Sequence, residues 1–416
     1  MASGVAAAVG IIALIAGVAG GFFAMGGNTI GDTGAPAERA GLSGTYTLGH
    51  VAPLSGDLSQ YGNDGIAAAR LAEADFNEYL ESLGAEWRLA LAHEDTQTNP
   101  ALALDRITSL KARGVNAAIV YSSAAVNSIK GYVDANGMTV ISGTSTAPQL
   151  AVAGDGVFRL VPDDTRQGPA LAALMAGSGI EAIVPVWRSD TWGTGLEESA
   201  REAFEALGGT VAEGVPYNPE SPALSVSASV LAERVEALVA EHGAERVAVL
   251  SISFAETLEI MQEASAHDAL DGVAWFCTDG ITGNTNLLAD PIGLAFAETT
   301  RLRGTQPAAA DTAQRADVEA RLVEELGRIP NTYSFGVYDA VWLFGKSVLE
   351  SGSDSPEAIR AALPLVASVH SGAVGHTELN EAGDLDSADY SIWGVEDGEW
   401  RVVATYMAAS GAVVPA

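Results

Sequence analysis

Two loops in this chain carry small hydroxyl residues at points where a helix is expected to begin. They are Tyr121-Ser122-Ser123-Ala124-Ala125 and Ser142-Gly143-Thr144-Ser145-Thr146-Ala147-Pro148. Hydroxyls and unpaired backbone N–H groups at a helix start hydrogen-bond to an anion, and the helix dipole adds to the attraction. The chemistry on offer is capture of a carboxylate, although ordinary helix capping uses the same residues. Three later loops are Asp190-Thr191-Trp192-Gly193-Thr194-Gly195, Ser251-Ile252-Ser253-Phe254-Ala255-Glu256 and Thr278-Asp279-Gly280. They bring two aromatics, Trp192 and Phe254, and one acid, Asp279. Taken singly, an aromatic at a strand end suits a core and an aspartate before glycine suits a turn. Taken together with the hydroxyl loops, an acid at one end and donors at the other suit a zwitterion. A further aromatic, Tyr61, closes the Ser- and Gly-containing stretch Pro53–Gly62.

Other chemistries lack their residues. The stretch from Ser55-Gly56 to Gly62 does not have the G-x-G-x-x-G spacing of a dinucleotide site, and no P-loop, nucleophile elbow or HExxH is present. Of the six histidines, His370 and His376 share a loop, while His50, His93, His242 and His267 have no partner at metal-ligand spacing. Cys277 ends an apolar run without a neighbouring histidine and is expected to be a buried structural thiol. No catalysis, metal or cofactor is expected.

The elements that must position these loops follow an alternating pattern. Strands are expected at Tyr46–Ala52, Trp87–Ala92, Ala117–Tyr121 and Thr139–Ser142, separated by helices at Gly62–Tyr79, Pro100–Arg113 and Val126–Asn136. A second series has strands at Ala182–Trp187, Arg246–Ser251 and Gly272–Cys277, with helices at Gly195–Leu207, Ala232–Glu241 and Phe254–Ala266. Such alternation reads as two consecutive doubly wound α/β units, in which ligands sit beyond the carboxyl ends of the strands. At 416 residues the chain is long enough for two domains. Its 53 acidic and 21 basic residues give a net charge of −32, which repels nucleic acid and anionic membrane surfaces.

Near the amino terminus, Val5–Met25 is free of charge over about the length needed to cross a bilayer, so residues 1–26 are expected to be a membrane anchor or a signal peptide. Residues 27–44, rich in Gly and Ala, are expected to be a flexible linker to an outward-facing domain.

In order and spacing, the stretches PLSGDLSQYGNDGIAAARLAEADFN, HEDTQTNPALAL, ISGTSTAPQL, FRLVPDDTRQG, SDTWGTG, YSFGVYDAV and GHTELNEAGDLDSADYSIW resemble those of the leucine/isoleucine/valine-binding proteins of ABC importers. The resemblance runs from about Thr45 to Val403. It implies the type I periplasmic-binding fold, two Rossmann-like lobes joined by three crossovers: residues 45–162 with 298–387, and 163–297 with 388–416. It further implies a non-catalytic receptor that closes on a small ligand and delivers it to ABC permease subunits; contact with the membrane is expected only through the uncharged amino-terminal segment. By position, Ser123 and Thr146 resemble donors to a ligand carboxylate and Ser145 a contributor of backbone groups. Asp279 resembles the acid that faces an ammonium, and Tyr61, Trp192 and Phe254 resemble aromatic walls. Departures exist: Asp279 is one methylene shorter than the usual glutamate, Phe254 lacks a tyrosine hydroxyl, and Ser122 stands where some relatives have cysteine. The resemblance implies a small amino acid of the branched-chain type as ligand; the departures leave urea, short amides or aromatic compounds as alternatives, and a ligand sensor is the alternative role.

Overall fold

The computed structural model describes residues 41–220, 223–385 and 389–416. The apolar run Val5–Met25 lies outside the described residues, as does the linker up to residue 40. Among the described residues no helix is long and apolar enough to cross a membrane.

The first α/β layer runs β1 (Ser43–Ala52), α1 (Ser59–Ser82), β2 (Glu86–Asp95), α2 (Pro100–Ala112), β3 (Ala117–Val120), α3 (Ser123–Ala135), β4 (Thr139–Ser142) and β5 (Val157–Arg159). These strands form one parallel sheet in the order β2-β1-β3-β4-β5. The second layer begins with α4 (Asp164–Gly177), β6 (Ala182–Arg188), α5 (Thr191–Ala206), β7 (Thr210–Val211), β8 (Val215–Tyr217), α6 (Leu224–His242), β9 (Val247–Ile252) and α7 (Thr257–Ala264). It continues through α8 (Asp268–Asp271), β10 (Ala274–Cys277), α9 (Thr285–Ala289), α10 (Pro291–Thr299) and β11 (Arg303–Pro307).

The chain then returns to the first layer with α11 (Ala313–Leu326), α12 (Tyr333–Ser351), α13 (Pro356–Ser368) and the small hairpin β12 (Ser371–Gly372) and β13 (Gly375–His376). It ends in the second with β14 (Tyr390–Glu396), β15 (Glu399–Met407) and β16 (Ala412–Pro415). The second sheet is ordered β16-β15-β14-β11-β10-β9-β6-β7, with β8 also beside β6. Among the described residues, only β14, β15 and β16 join it antiparallel.

Sequence dictates which strands sit centrally. Ala117–Val120 and Val247–Ile252 are buried at every position, as expected of parallel strands covered on both faces. On α1, Ala67, Ala68, Ala69 and Ala72 are buried, so this helix lies close on the first sheet, and Phe76 fills the space toward Trp342 of α12. The chain passes between layers after Arg159, after Pro307 and after Leu385. The second passage differs from the boundary at residue 298. That residue lies in α10, and β11 beyond it pairs with β10 and β14 of the second sheet.

Both sheets reverse their winding at a definite place: β1 lies between β2 and β3, and β6 lies between β9 and the β7/β8 edge. The crevices at these switch points receive the loops after β1, β3, β6 and β9. Tyr61, Ser123, Trp192 and Phe254 stand on those loops or on the helix turns that follow them.

Candidate functional site

Helices begin earlier than hydrophobic periodicity indicates, and this places the aromatics. Tyr61 falls in the first turn of α1 and Trp192 in the first turn of α5, where the Asp190 carboxylate accepts from Gly193 N at 2.9 Å. Ser122 caps α3 and accepts from Ala125 N, with a left-handed φ of 66°. Phe254, in contrast, precedes its helix: α7 starts at Thr257, and the Glu256 carboxylate accepts from Phe254 N at 3.1 Å.

These loops enclose two adjoining spaces. An inner chamber of about 30 Å³ is lined by residues that include Tyr61, Ser123, Trp192, Phe254 and Asp279. An outer cleft of about 400 Å³ shares Ser122, Ser123, Trp192 and Phe254 with it, and adds Asp57 and Arg188. Trp192 and Phe254 stack with ring centroids 4.6 Å apart, and the Arg188 guanidinium lies 3.9 Å over Phe254. Arg188 is fixed in turn by Asp190 at 2.6 Å and Glu256 at 2.7 Å.

Ser145 and Thr146 lie behind the chamber rather than on its surface. The Ser145 hydroxyl pairs with Ser142 at 2.6 Å and its carbonyl accepts from Arg159 Nη1 at 3.1 Å. The Thr146 hydroxyl donates to Asp164 Oδ2 at 3.0 Å, and its N–H donates to Ser123 Oγ at 3.1 Å. Ser123 thus joins the two hydroxyl loops, accepting from Ala147 N as well. Thr144, two residues earlier in the same loop, reaches the chamber.

Asp279 is buried, and its carboxylate accepts from the Tyr333 hydroxyl at 2.5 Å through Oδ2, while Oδ1 has no hydrogen-bond partner among the described residues. Asp164, also buried, keeps Oδ2 on Thr146 and likewise has no partner for Oδ1 among the described residues. Burial raises both carboxyls above the ordinary aspartate range, and the nearby Asp279 charge raises Asp164 further. Two buried acids with unmatched lone pairs create a strong demand for a cation or for protons.

The lobes touch directly around this site. Tyr61 donates its hydroxyl to the Asp279 carbonyl at 2.5 Å, and Gln60 donates to the Gly283 carbonyl and accepts from Thr285 N.

Residues 66–398 match the family described as the receptor family ligand binding region. The chain belongs to that family. A Leu/Ile/Val-binding protein of Rhizobium johnstonii is 23% identical over 358 residues, covering 85% of this chain and 92% of its own. The leucine-binding protein LivK of Thermotoga maritima shares the fold with a TM-score of 0.74 at 19% identity, over 86% of this chain and 98% of its own. A solute-binding protein of R. palustris solved with benzoate has a TM-score of 0.71 at 14% identity, over 89% of this chain and 98% of its own. The fold is that of type I periplasmic binding proteins, and these relatives are binding proteins rather than enzymes.

Within this ligand-binding region, Tyr121, Thr144, Asp164, Arg188 and Tyr333 had no assigned role from sequence. Tyr121 and Thr144 sit in loops already singled out at strand ends, so the strand-end rule could have found them. Asp164 follows Asp163, the α4 cap, and looks like part of a cap. Tyr333 opens α12, far along the chain, and only the fold brings it to Asp279.

Proposed function

We propose that this chain is the extracytoplasmic solute receptor of an ABC importer and that it encloses a small amino acid of the branched-chain kind between its lobes. The observation that carries this reading is Asp279, a buried carboxylate at the inner chamber with one oxygen unpartnered among the described residues and Asp164 nearby. An ammonium, with three donors and a full charge, answers such a group, whereas the carboxylate of an aromatic acid would add a further negative charge to it. Toward the other end, Ser122, Ser123 and Thr144 surround the start of α3, where the positive end of the helix dipole favours the ligand's carboxylate. Tyr61, Trp192 and Phe254 supply apolar wall for a short side chain.

Binding then proceeds by parting and closure of the lobes, with no covalent step. Closure strips water from the ligand and strengthens its charged hydrogen bonds. The uncharged run Val5–Met25 serves as anchor or signal peptide, and residues 27–44 serve as linker.

The test is a thermal-shift series of the purified protein with L-leucine, L-isoleucine, benzoate, urea and acetamide, since a ligand of the folded state alone raises the melting temperature. A rise with the amino acids is the expected result. A rise with benzoate or urea alone would replace this reading with the aromatic or amide one.

A further inference from the structure

Tyr121 stands in the wall of the inner chamber, directly after β3. Its hydroxyl lies 3.3 Å from His50 Nε2, and His50 Nδ1 lies 2.9 Å from His93 Nδ1. The two histidines meet because β1 and β2 run parallel with His50 opposite His93. Tyr121 and His50 are buried, His93 is half-buried, and β2 is the edge strand of its sheet. The three side chains therefore form a hydrogen-bonded line from the chamber to the protein's edge. Space for the Tyr121 hydroxyl exists because position 65 is glycine; a Cβ there would stand 1.6 Å from that oxygen.

Proton positions along this line are mutually dependent. A neutral imidazole carries its hydrogen on one nitrogen only, and two facing nitrogens share a single hydrogen between them. With both rings neutral, His50 Nδ1–H donates to His93 Nδ1 and the Tyr121 hydroxyl donates to His50 Nε2. This arrangement leaves no buried hydrogen without an acceptor, which is the costly outcome to avoid. When His93 is protonated, both of its nitrogens carry hydrogen. His93 Nδ1–H then donates to His50 Nδ1, His50 holds its hydrogen on Nε2, and that hydrogen is donated to the Tyr121 oxygen. The phenolic hydrogen must leave His50 and is presented to the chamber. One proton is taken up from solvent, and only N–H and O–H bonds change.

We propose that Tyr121 is a specificity-determining residue whose hydroxyl accepts from the ligand while His93 is neutral and donates to it once His93 is protonated, with His50 as the positioning residue between them. Among the described residues the charged and titratable groups facing this line come from α1: Arg70 near the histidines, Glu73 beside Arg70 and accepting from Leu91 N, and Asp64, itself paired with Arg328, near Tyr121. Burial and then Arg70 hold His93 below the ordinary histidine range, while burial, His93 and Arg70 hold His50 at about 3, so His93 takes the proton first. Burial and then Asp64 keep the Tyr121 phenol protonated. The consequence for binding rests on the reading of the inner chamber as the ligand site; the relay itself does not.

The decisive experiment follows the ring nitrogens of His50 and His93 by ¹⁵N NMR in the ligand-free full chain during acidification, with His93→Gln as comparison. The expected result is that the His50 hydrogen moves from Nδ1 to Nε2 as His93 titrates, and that His93→Gln shows no such move. A His50 tautomer that stays constant while His93 titrates, or that changes equally in His93→Gln, overturns the proposal. L-leucine affinity measured across the same pH range is expected to show a step of about three- to tenfold that His93→Gln and Tyr121→Phe both abolish. If the tautomer change occurs and leucine binds at no pH, the relay stands and the amino-acid reading fails.

Discussion

The Tyr333 hydroxyl at the start of α12 donates to Asp279 Oδ2 beyond the end of β10, at 2.5 Å, tying one lobe to the other across the inner chamber. The same bond orients the carboxylate that we propose faces the ligand's ammonium. Replacing Tyr333 by Phe keeps the ring and removes only the donor. Because a hydrogen bond to a charged group contributes about 1.5–3 kcal/mol, Tyr333→Phe is expected to weaken L-leucine binding by at least tenfold in calorimetry. An unchanged affinity would show that the bond has no part in the site.

Protonation of the buried acids gives a pH dependence whose sign can be worked out. Both Asp164 and Asp279 titrate above their unfolded values, so the folded protein binds more protons than the unfolded chain between the ordinary aspartate value, about 3.9, and the raised ones. Their contribution to stability is complete below about 3.9 and is lost as pH rises through the folded values. Urea denaturation of the ligand-free protein is expected to show this decline, and Asp164→Asn, which cannot ionise, is expected to flatten it.

A second buried pair has a structural task. Arg159, fully buried on β5, makes two bonds to Asp384, at 2.5 and 2.6 Å, and donates to the carbonyls of Ser145 and Ala147. It thus shapes the hydroxyl loop and fastens it to the chain just before its last passage between lobes. Asp384→Ala leaves the guanidinium buried without its counter-charge, and a loss of about 3–5 kcal/mol in unfolding free energy is expected by denaturant titration.

Much of the fold is legible in the sequence. The strands expected at Ala117–Tyr121 and Arg246–Ser251 stand at Ala117–Val120 and Val247–Ile252, buried at every position, and the turns after them carry Ser123 and Phe254. Local patterns failed where geometry depends on distant partners. His50 and His93 are 43 residues apart and show no metal-type spacing; only the parallel register of β1 and β2 places them face to face. Thr146 has the residue type of a ligand donor, yet its hydroxyl is taken by Asp164, a residue that sequence alone makes look like a cap extension. The strand Arg303–Pro307 contains Gly, Gln and Pro, a weak strand signal, and so β11 was not among the expected elements although it links β10 to the antiparallel edge.

The most direct measurement is isothermal titration of L-leucine into the wild-type protein and into Asp279→Asn, which keeps the shape of the side chain and removes its charge. The expected result is one site per chain in the wild type and an affinity lower by about 2 kcal/mol or more in Asp279→Asn, the cost of losing one partner of a buried charged pair. Equal affinity in the two proteins would contradict the claim that Asp279 holds an ammonium.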